Sequence, residues 1–140
     1  MLLLLLRVAR DRFALPARRV VEVLPDVVLQ PASGLGPGCA GLLAYRGEAV
    51  PVLDLGRRLA GRPCRRRLST RLVLVRDGAE ALWGLRAEGV TGTLRAAGAG
   101  RGGLLEGMVL TPEGAVRLLD LDGLLEAARG ADGAGREVGR

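Results

Sequence analysis

The chain has 140 residues, 49% of them apolar, and a net charge of +6 in which all 21 cationic side chains are arginine, since lysine and histidine are absent. A domain of this length buries roughly 68–70% of the surface its unfolded chain would expose, and with one Phe, one Trp and one Tyr its core must be built from Leu, Val and Ala. The absence of His, Lys and Asn excludes imidazole acid/base chemistry, the P-loop and Schiff-base lysines and the kinase metal-binding asparagine, and it leaves Ser33, Ser69, Thr70 and Thr91 without an activating base.

The apolar run Leu2 to Val8, the polar break Ala9-Arg10-Asp11 and the resumption Arg12 to Leu15 predict a hairpin. Met1 to Leu6 reads as a buried first strand in preference to a signal sequence, since it lacks a basic n-region and Arg7 ends it short of the about 7–15 apolar residues such a region needs. Pro16 suits a short helical turn, with a strand following through Val23. Ala32 to Gly38, rich in Gly, Pro and Ser, is a loop. Gly41 to Tyr45 and Ala49 to Leu53 flank Arg46-Gly47-Glu48 as a second hairpin, and Asp54 can cap a short helix through Leu59 that Gly61 closes.

Arg65-Arg66-Arg67 reads as a solvated basic loop. Arg71 to Val75 and Ala81 to Leu85 around Asp77-Gly78 form a third hairpin, and Val90 to Leu94 is a further strand. Beyond the Gly-rich stretch Gly98 to Gly103, Leu104 to Leu110 and Ala115 to Leu119 flank Thr111-Pro112-Glu113-Gly114 as a fourth hairpin. Residues 1–128 make one domain and 129–140 a frayed tail. No segment approaches the roughly 18–20 apolar residues of a membrane span, so a cytoplasmic protein is expected.

Val52-Leu53-Asp54-Leu55 with Leu59 is echoed by Leu118-Leu119-Asp120-Leu121 with Leu125, each a strand that ends at an aspartate and turns into a leucine-bearing helix. Short strands at regular spacing together with this echo predict a mostly β fold of two small barrels sharing a core, with short helices. Closing the sheets removes edges that strands as apolar as Leu2 to Leu6 would expose to aggregation.

Asp54, Asp120 and Asp122 are the candidates for acid/base or metal chemistry, and each also lies where a carboxylate satisfies the free N–H groups of a helix start. Cys39 and Cys64 lack metal-ligand spacing and read as small apolar residues. Tyr45-Arg46 at a turn offers a planar five-donor fork beside an aromatic ring, a pairing enriched at interfaces; the bland alternative is a solvent-exposed Arg46–Glu48 pair. The arginine excess admits two origins, codon bias in a GC-rich genome or anionic partners. The second leads to a small basic barrel binding single-stranded nucleic acid, against which the scarcity of aromatics counts. A carboxylate-and-metal enzyme would rest on Asp54 and Asp120 alone.

The ordered set Phe13-Ala14-Leu15-Pro16, Val20-Val21-Glu22-Val23, Gly41 to Gly47, Val50-Pro51-Val52-Leu53-Asp54-Leu55, Arg71 to Val75 and Leu118-Leu119-Asp120-Leu121 resembles the CheW-like domain family over about Leu2 to Ala128. The resemblance implies two five-stranded SH3-like barrels around a common core. It also implies a non-catalytic adaptor, without cofactor or small-molecule substrate, that couples the cytoplasmic tip of chemoreceptors (methyl-accepting proteins) to the CheA-like regulatory domain of a histidine autokinase. Such a protein is cytoplasmic and recruited to membrane receptor arrays. Carried over by position, Arg46 and Glu22, with Val20 and Tyr45 beside them, lie at the receptor-binding surface. At one position the chain departs from the family: Ala44 stands where an asparagine is usual.

Overall fold

A computed structural model describes residues 1–36, 38–96, 104–105, 107–112 and 114–138, with backbone alone at 104–105 and 130–138. The Gly-rich stretch expected at Gly98 to Gly103 lies outside them. Eleven strands and two helices follow in order: β1 Leu2–Val8, β2 Asp11–Pro16, β3 Val20–Pro25, β4 Cys39–Tyr45, β5 Glu48–Asp54, α1 Leu55–Leu59, β6 Arg71–Arg76, β7 Leu82–Ala87, β8 Gly89–Arg95, β9 Leu104–Leu105, β10 Met108–Thr111, β11 Gly114–Leu118 and α2 Leu121–Val138. Ala17–Arg19 form one 3-10 turn after Pro16. The helical backbone of α2 continues past Ala128 to Val138, within the stretch that the sequence suggested as a tail.

The strands make two sheets, ordered β8-β1-β2-β11-β10-β9 and β3-β6-β7-β5-β4. The fold is mostly β and built of two units, as the sequence implies, but the first sheet has six strands where five were expected. The reason is local: Gly107 takes φ +77°, which breaks Leu104 to Leu110 into β9 and β10 and folds one back on the other. The two units follow one plan. In each, one parallel contact joins the strand before a helix to another strand: β5 to β7 at Val52↔Gly84, and β11 to β2 at Arg117↔Phe13. These are the two segments of the sequence echo.

The five-stranded sheet curls until its edges meet. Beyond β3, Gln30 bridges Leu42 of β4 through two backbone hydrogen bonds of 2.8 Å. Gly41 permits this approach, since a Cβ there would lie 2.7 Å from the Gln30 carbonyl oxygen, and its φ of +144° disfavours other residues.

Strands buried on both faces explain the continuous apolar runs. Leu43, Val50, Val52, Leu72 and Leu74 fill the inside of the five-stranded unit, and Leu3, Ala14, Val109 and Val116 that of the other. The alternate residues Leu4, Leu6, Phe13, Leu15, Leu53, Val73, Val75, Trp83 and Leu85, with Leu121 and Leu125 of α2, form a third cluster shared by both sheets. Burying each such side chain contributes roughly 1.5–3 kcal/mol.

Buried charges pin the connections. Asp77 accepts from the N–H groups of Ala79 and Ala81 and from Trp83 Nε1 at 3.0 Å, and Arg129 of α2 reaches the same carboxylate. Glu88, between β7 and β8, accepts from Ala9 N, Arg65 N and the Arg62 guanidinium at 2.7–3.0 Å. Burial pushes the Glu88 carboxyl up, and the hydrogen bonds from Arg62, Arg65 and Ala9 outweigh it, leaving it below the ordinary value.

Two outcomes follow from this packing. Leu53 is fully buried in the shared cluster, so Leu53→Ala is expected to cost about 2–5 kcal/mol in a denaturant titration, and an unchanged midpoint would contradict its placement. Because the folded Glu88 carboxyl lies below its unfolded value of about 4.3, its stabilisation is complete above that pH and is lost as pH falls through the folded value. Glu88→Gln is expected to flatten the acid limb of the melting temperature against pH.

Candidate functional site

The β4–β5 connection is a two-residue turn, Arg46-Gly47, closing the Tyr45↔Glu48 pair. Both residues have positive φ, +47° and +81°, the pattern of a type I′ hairpin turn, whose twist matches that of the flanking strands. Gly47 adopts this freely, whereas Arg46 bears a cost of roughly 1–2 kcal/mol for a left-handed L-residue. The turn thus holds a bulky cation where a glycine or asparagine fits the backbone better.

Glu22 arrives from β3, at the opposite edge of the sheet. The Tyr45 hydroxyl donates to Glu22 Oε1 at 2.5 Å, within the range of a charge-assisted O–H···O⁻ bond. The same oxygen lies 3.9 Å from Arg46 Nη2, and the Arg46 guanidinium sits 5.3 Å from the centre of the Tyr45 ring. The hydrogen bond from Tyr45 to the carboxylate, aided by partial burial, raises the Tyr45 phenol above its usual value against the opposing charge of Arg46.

This geometry divides the roles of the two cationic and anionic groups. Glu22 is oriented by Tyr45 and half exposed, while the Arg46 side chain is 79% exposed and held by a long ion pair of little energy and its contact with the Tyr45 ring. Its planar donors stay available to a carboxylate outside the chain. The Arg46–Glu48 pair considered from the sequence is replaced by Arg46–Glu22, because curling of the sheet brings β3 to the turn.

Of the four residues singled out from the sequence, the structure therefore unites Glu22, Tyr45 and Arg46. Val20 sits apart from them: a register shift in β3 between Val20 and Glu22 leaves Val20 packed against the shared core. Val21 and Val23, which the sequence reading passed over, are about two-fifths exposed on the same strand. Exposure alternates along β3 in the structure, but the sequence Val20-Val21-Glu22-Val23-Leu24 carries no matching alternation of polarity that could have found them.

The aspartates proposed for acid/base or metal work have other engagements. Asp54 Oδ1 accepts from Arg57 N at 3.1 Å and Cys64 N at 3.0 Å, and Asp120 Oδ1 accepts from Gly123 N at 3.1 Å, so both cap helices. Asp122 is not a cap; it pairs with Arg19 at 2.6 Å, and that hydrogen bond holds its carboxyl below the ordinary range. Among the described residues no group of three or more His, Cys, Asp or Glu side chains is placed to hold a metal ion. Cys64 is buried, and burial, aided by Asp54, pushes its thiol up to about 12. A cavity of about 460 Å³ lies between β4, β5, the β6–β7 turn and α2, lined by Cys39, Leu42, Pro51 and Trp83 among others, and none of Glu22, Tyr45 and Arg46 borders it. No described helix is long and apolar enough to cross a membrane.

Comparison with known proteins places the chain in a family. The crystal structure of the scaffolding protein TtCheW from Thermoanaerobacter tengcongensis matches with a TM-score of 0.75 and 19% identity, over 89% of this chain and 92% of that one, a likeness of fold. No curated protein sequence matches the chain. The family model for the CheW-like domain matches residues 2–129, nearly the whole chain. The chain belongs to the CheW-like domain family.

Proposed function

We propose that this protein is a non-catalytic scaffold of chemotaxis-type signalling, coupling the cytoplasmic tip of chemoreceptors to the regulatory domain of a CheA-like histidine kinase. It works in the cytoplasm and reaches the membrane through the receptors. The observation that carries this reading is the exposed Glu22–Tyr45–Arg46 constellation, assembled from opposite sheet edges on a CheW-like fold. A guanidinium left free at a strained backbone position suits recognition of a partner carboxylate better than it suits stability. The engagement of Asp54, Asp120 and Asp122 in caps and ion pairs supports docking over catalysis. Within the constellation, Tyr45 holds the Glu22 carboxylate in place, a task for which Ala44 has no polar atom, and Arg46 makes the outward contact.

Co-purification with the kinase regulatory domain and a receptor-tip fragment is expected to give a three-way complex, and full competition between the two would refute bridging. Arg46→Gly removes the guanidinium and relieves the positive φ, so receptor binding should weaken while the melting temperature holds or rises; a fall in both together would mean that Arg46 serves stability instead. Tyr45 is the only tyrosine, so spectrophotometric titration reads it alone. Its native pKa is expected above the ordinary value of about 10 and should move back toward it in Glu22→Gln; no movement would separate the two residues.

A further inference from the structure

The loop between α1 and β6 carries the densest charge in the molecule. Eight arginines and no acidic residue lie between Asp54 and Asp77. Three of them are paired within the fold, Arg62 with Glu88 at 2.9 Å, Arg66 with Asp26 at 2.8 Å and Arg76, in β6, with Glu80 at 4.0 Å. Arg65 and Arg67 are exposed and make no ion pair among the described residues. Between these arginines and β6, Leu68 is 99% exposed.

A solvated loop has no need of a fixed backbone, yet this one is held at almost every residue. Asp54 accepts from Cys64 N at 3.0 Å, and Glu88 accepts from Arg65 N at 2.7 Å. The Thr70 hydroxyl accepts from Arg67 N at 2.9 Å and donates to the Arg65 carbonyl at 2.7 Å, and the Arg71 guanidinium donates to the Leu68 carbonyl at 2.6 Å. At its base the loop presses on Gly56, where a Cβ would lie 2.5 Å from the Arg62 carbonyl oxygen. The anchoring groups Asp54, Thr70 and Glu88 are all buried.

We propose that this loop is a second docking face, whose occupant is an acidic protein surface with an apolar socket for Leu68. The choice of a protein rests on the scaffold reading above; the charge and the apolar centre are read from the loop itself. A rigid loop loses little conformational freedom on binding, and an exposed leucine directly after three exposed arginines offers an apolar contact beside a charged one, as protein interfaces do. Single-stranded nucleic acid would call for exposed stacking rings, but Phe13 and Trp83 are buried and Tyr45 is engaged with Glu22. A membrane surface would call for more than one inserted apolar side chain.

The test uses the full chain and the variant Arg65→Ser/Arg67→Ser/Leu68→Ser, which keeps every backbone hydrogen bond and should melt as the wild type does. Affinities of wild type, this variant and Arg46→Ala are measured for the receptor-tip fragment, the kinase regulatory domain, a synthetic glutamate- and leucine-bearing peptide, anionic lipid vesicles and a single-stranded DNA oligonucleotide. The expected result is that one protein fragment binds the triple variant roughly tenfold more weakly or worse while tolerating Arg46→Ala, and that the acidic peptide is weakened likewise. If both fragments bind the triple variant as they bind the wild type, or if only vesicle or DNA binding is lost, the proposal is overturned. If the wild type binds neither fragment, the scaffold reading fails, and the peptide alone decides the loop: equal peptide affinity for wild type and triple variant overturns it.

Discussion

Everything in this molecule depends on strands that bury both of their faces. In β1, β2, β6 and β7 one set of alternate residues fills the interior of its own sheet and the other set enters the cluster between the sheets. With so few aromatic rings, the volume is supplied by leucine and valine, whose branched chains pack densely on pleated surfaces. The chain route reinforces this: β1 and β2 begin the six-stranded sheet, β3 to β7 build the other, and β8 returns to pair with β1. Neither sheet covers its inner faces without the other, so the two units fold as one.

The candidate site is a consequence of how the five-stranded sheet curls. Glu22 and Tyr45 belong to strands at opposite edges, and only the bending of that sheet, helped by the bridge at Gln30 and the missing side chain of Gly41, puts them within hydrogen-bonding distance. The contact serves two ends. It ties side chains of the two edge strands together, and it places a carboxylate, an aromatic ring and a largely free guanidinium on one small surface.

Buried polar groups do a different job, fixing connections that apolar packing alone leaves undetermined. Asp54 caps α1 and also holds the loop beyond it; Glu88 ties that loop to the β1–β2 turn through Ala9; Asp77 gathers the β6–β7 turn, the Trp83 ring and α2. Each carboxylate satisfies several donors at once, which offsets the cost of burying its charge. The result is a basic loop whose backbone is fixed while its side chains remain in water, and a thiol at Cys64 kept protonated and enclosed.

Much of the fold was legible in the sequence because its signals are local. Alternating and continuous apolar runs, the Pro16 turn, the Arg46-Gly47 and Asp77-Gly78 connections, the Asp54 and Asp120 caps and the echo between their two segments each depend on neighbours a few residues apart. By itself the sequence determined a mostly β chain of two related units with an aliphatic shared core; its own signals singled out Tyr45 and Arg46, and the resemblance to a known family added Glu22. Tertiary structure decided that they meet: Tyr45 and Glu22 are 23 residues apart in the chain, and no periodicity reports the curvature that joins them. It also decided that Arg46 faces Glu22 and not Glu48, that Asp122 pairs with Arg19, that Val20 turns inward after a register shift, and that Gly107 adds a strand. In all but the last of these the deciding energy is a contact between distant segments, which exists only once the sheets have closed; the turn at Gly107 is local, set by that residue's positive φ.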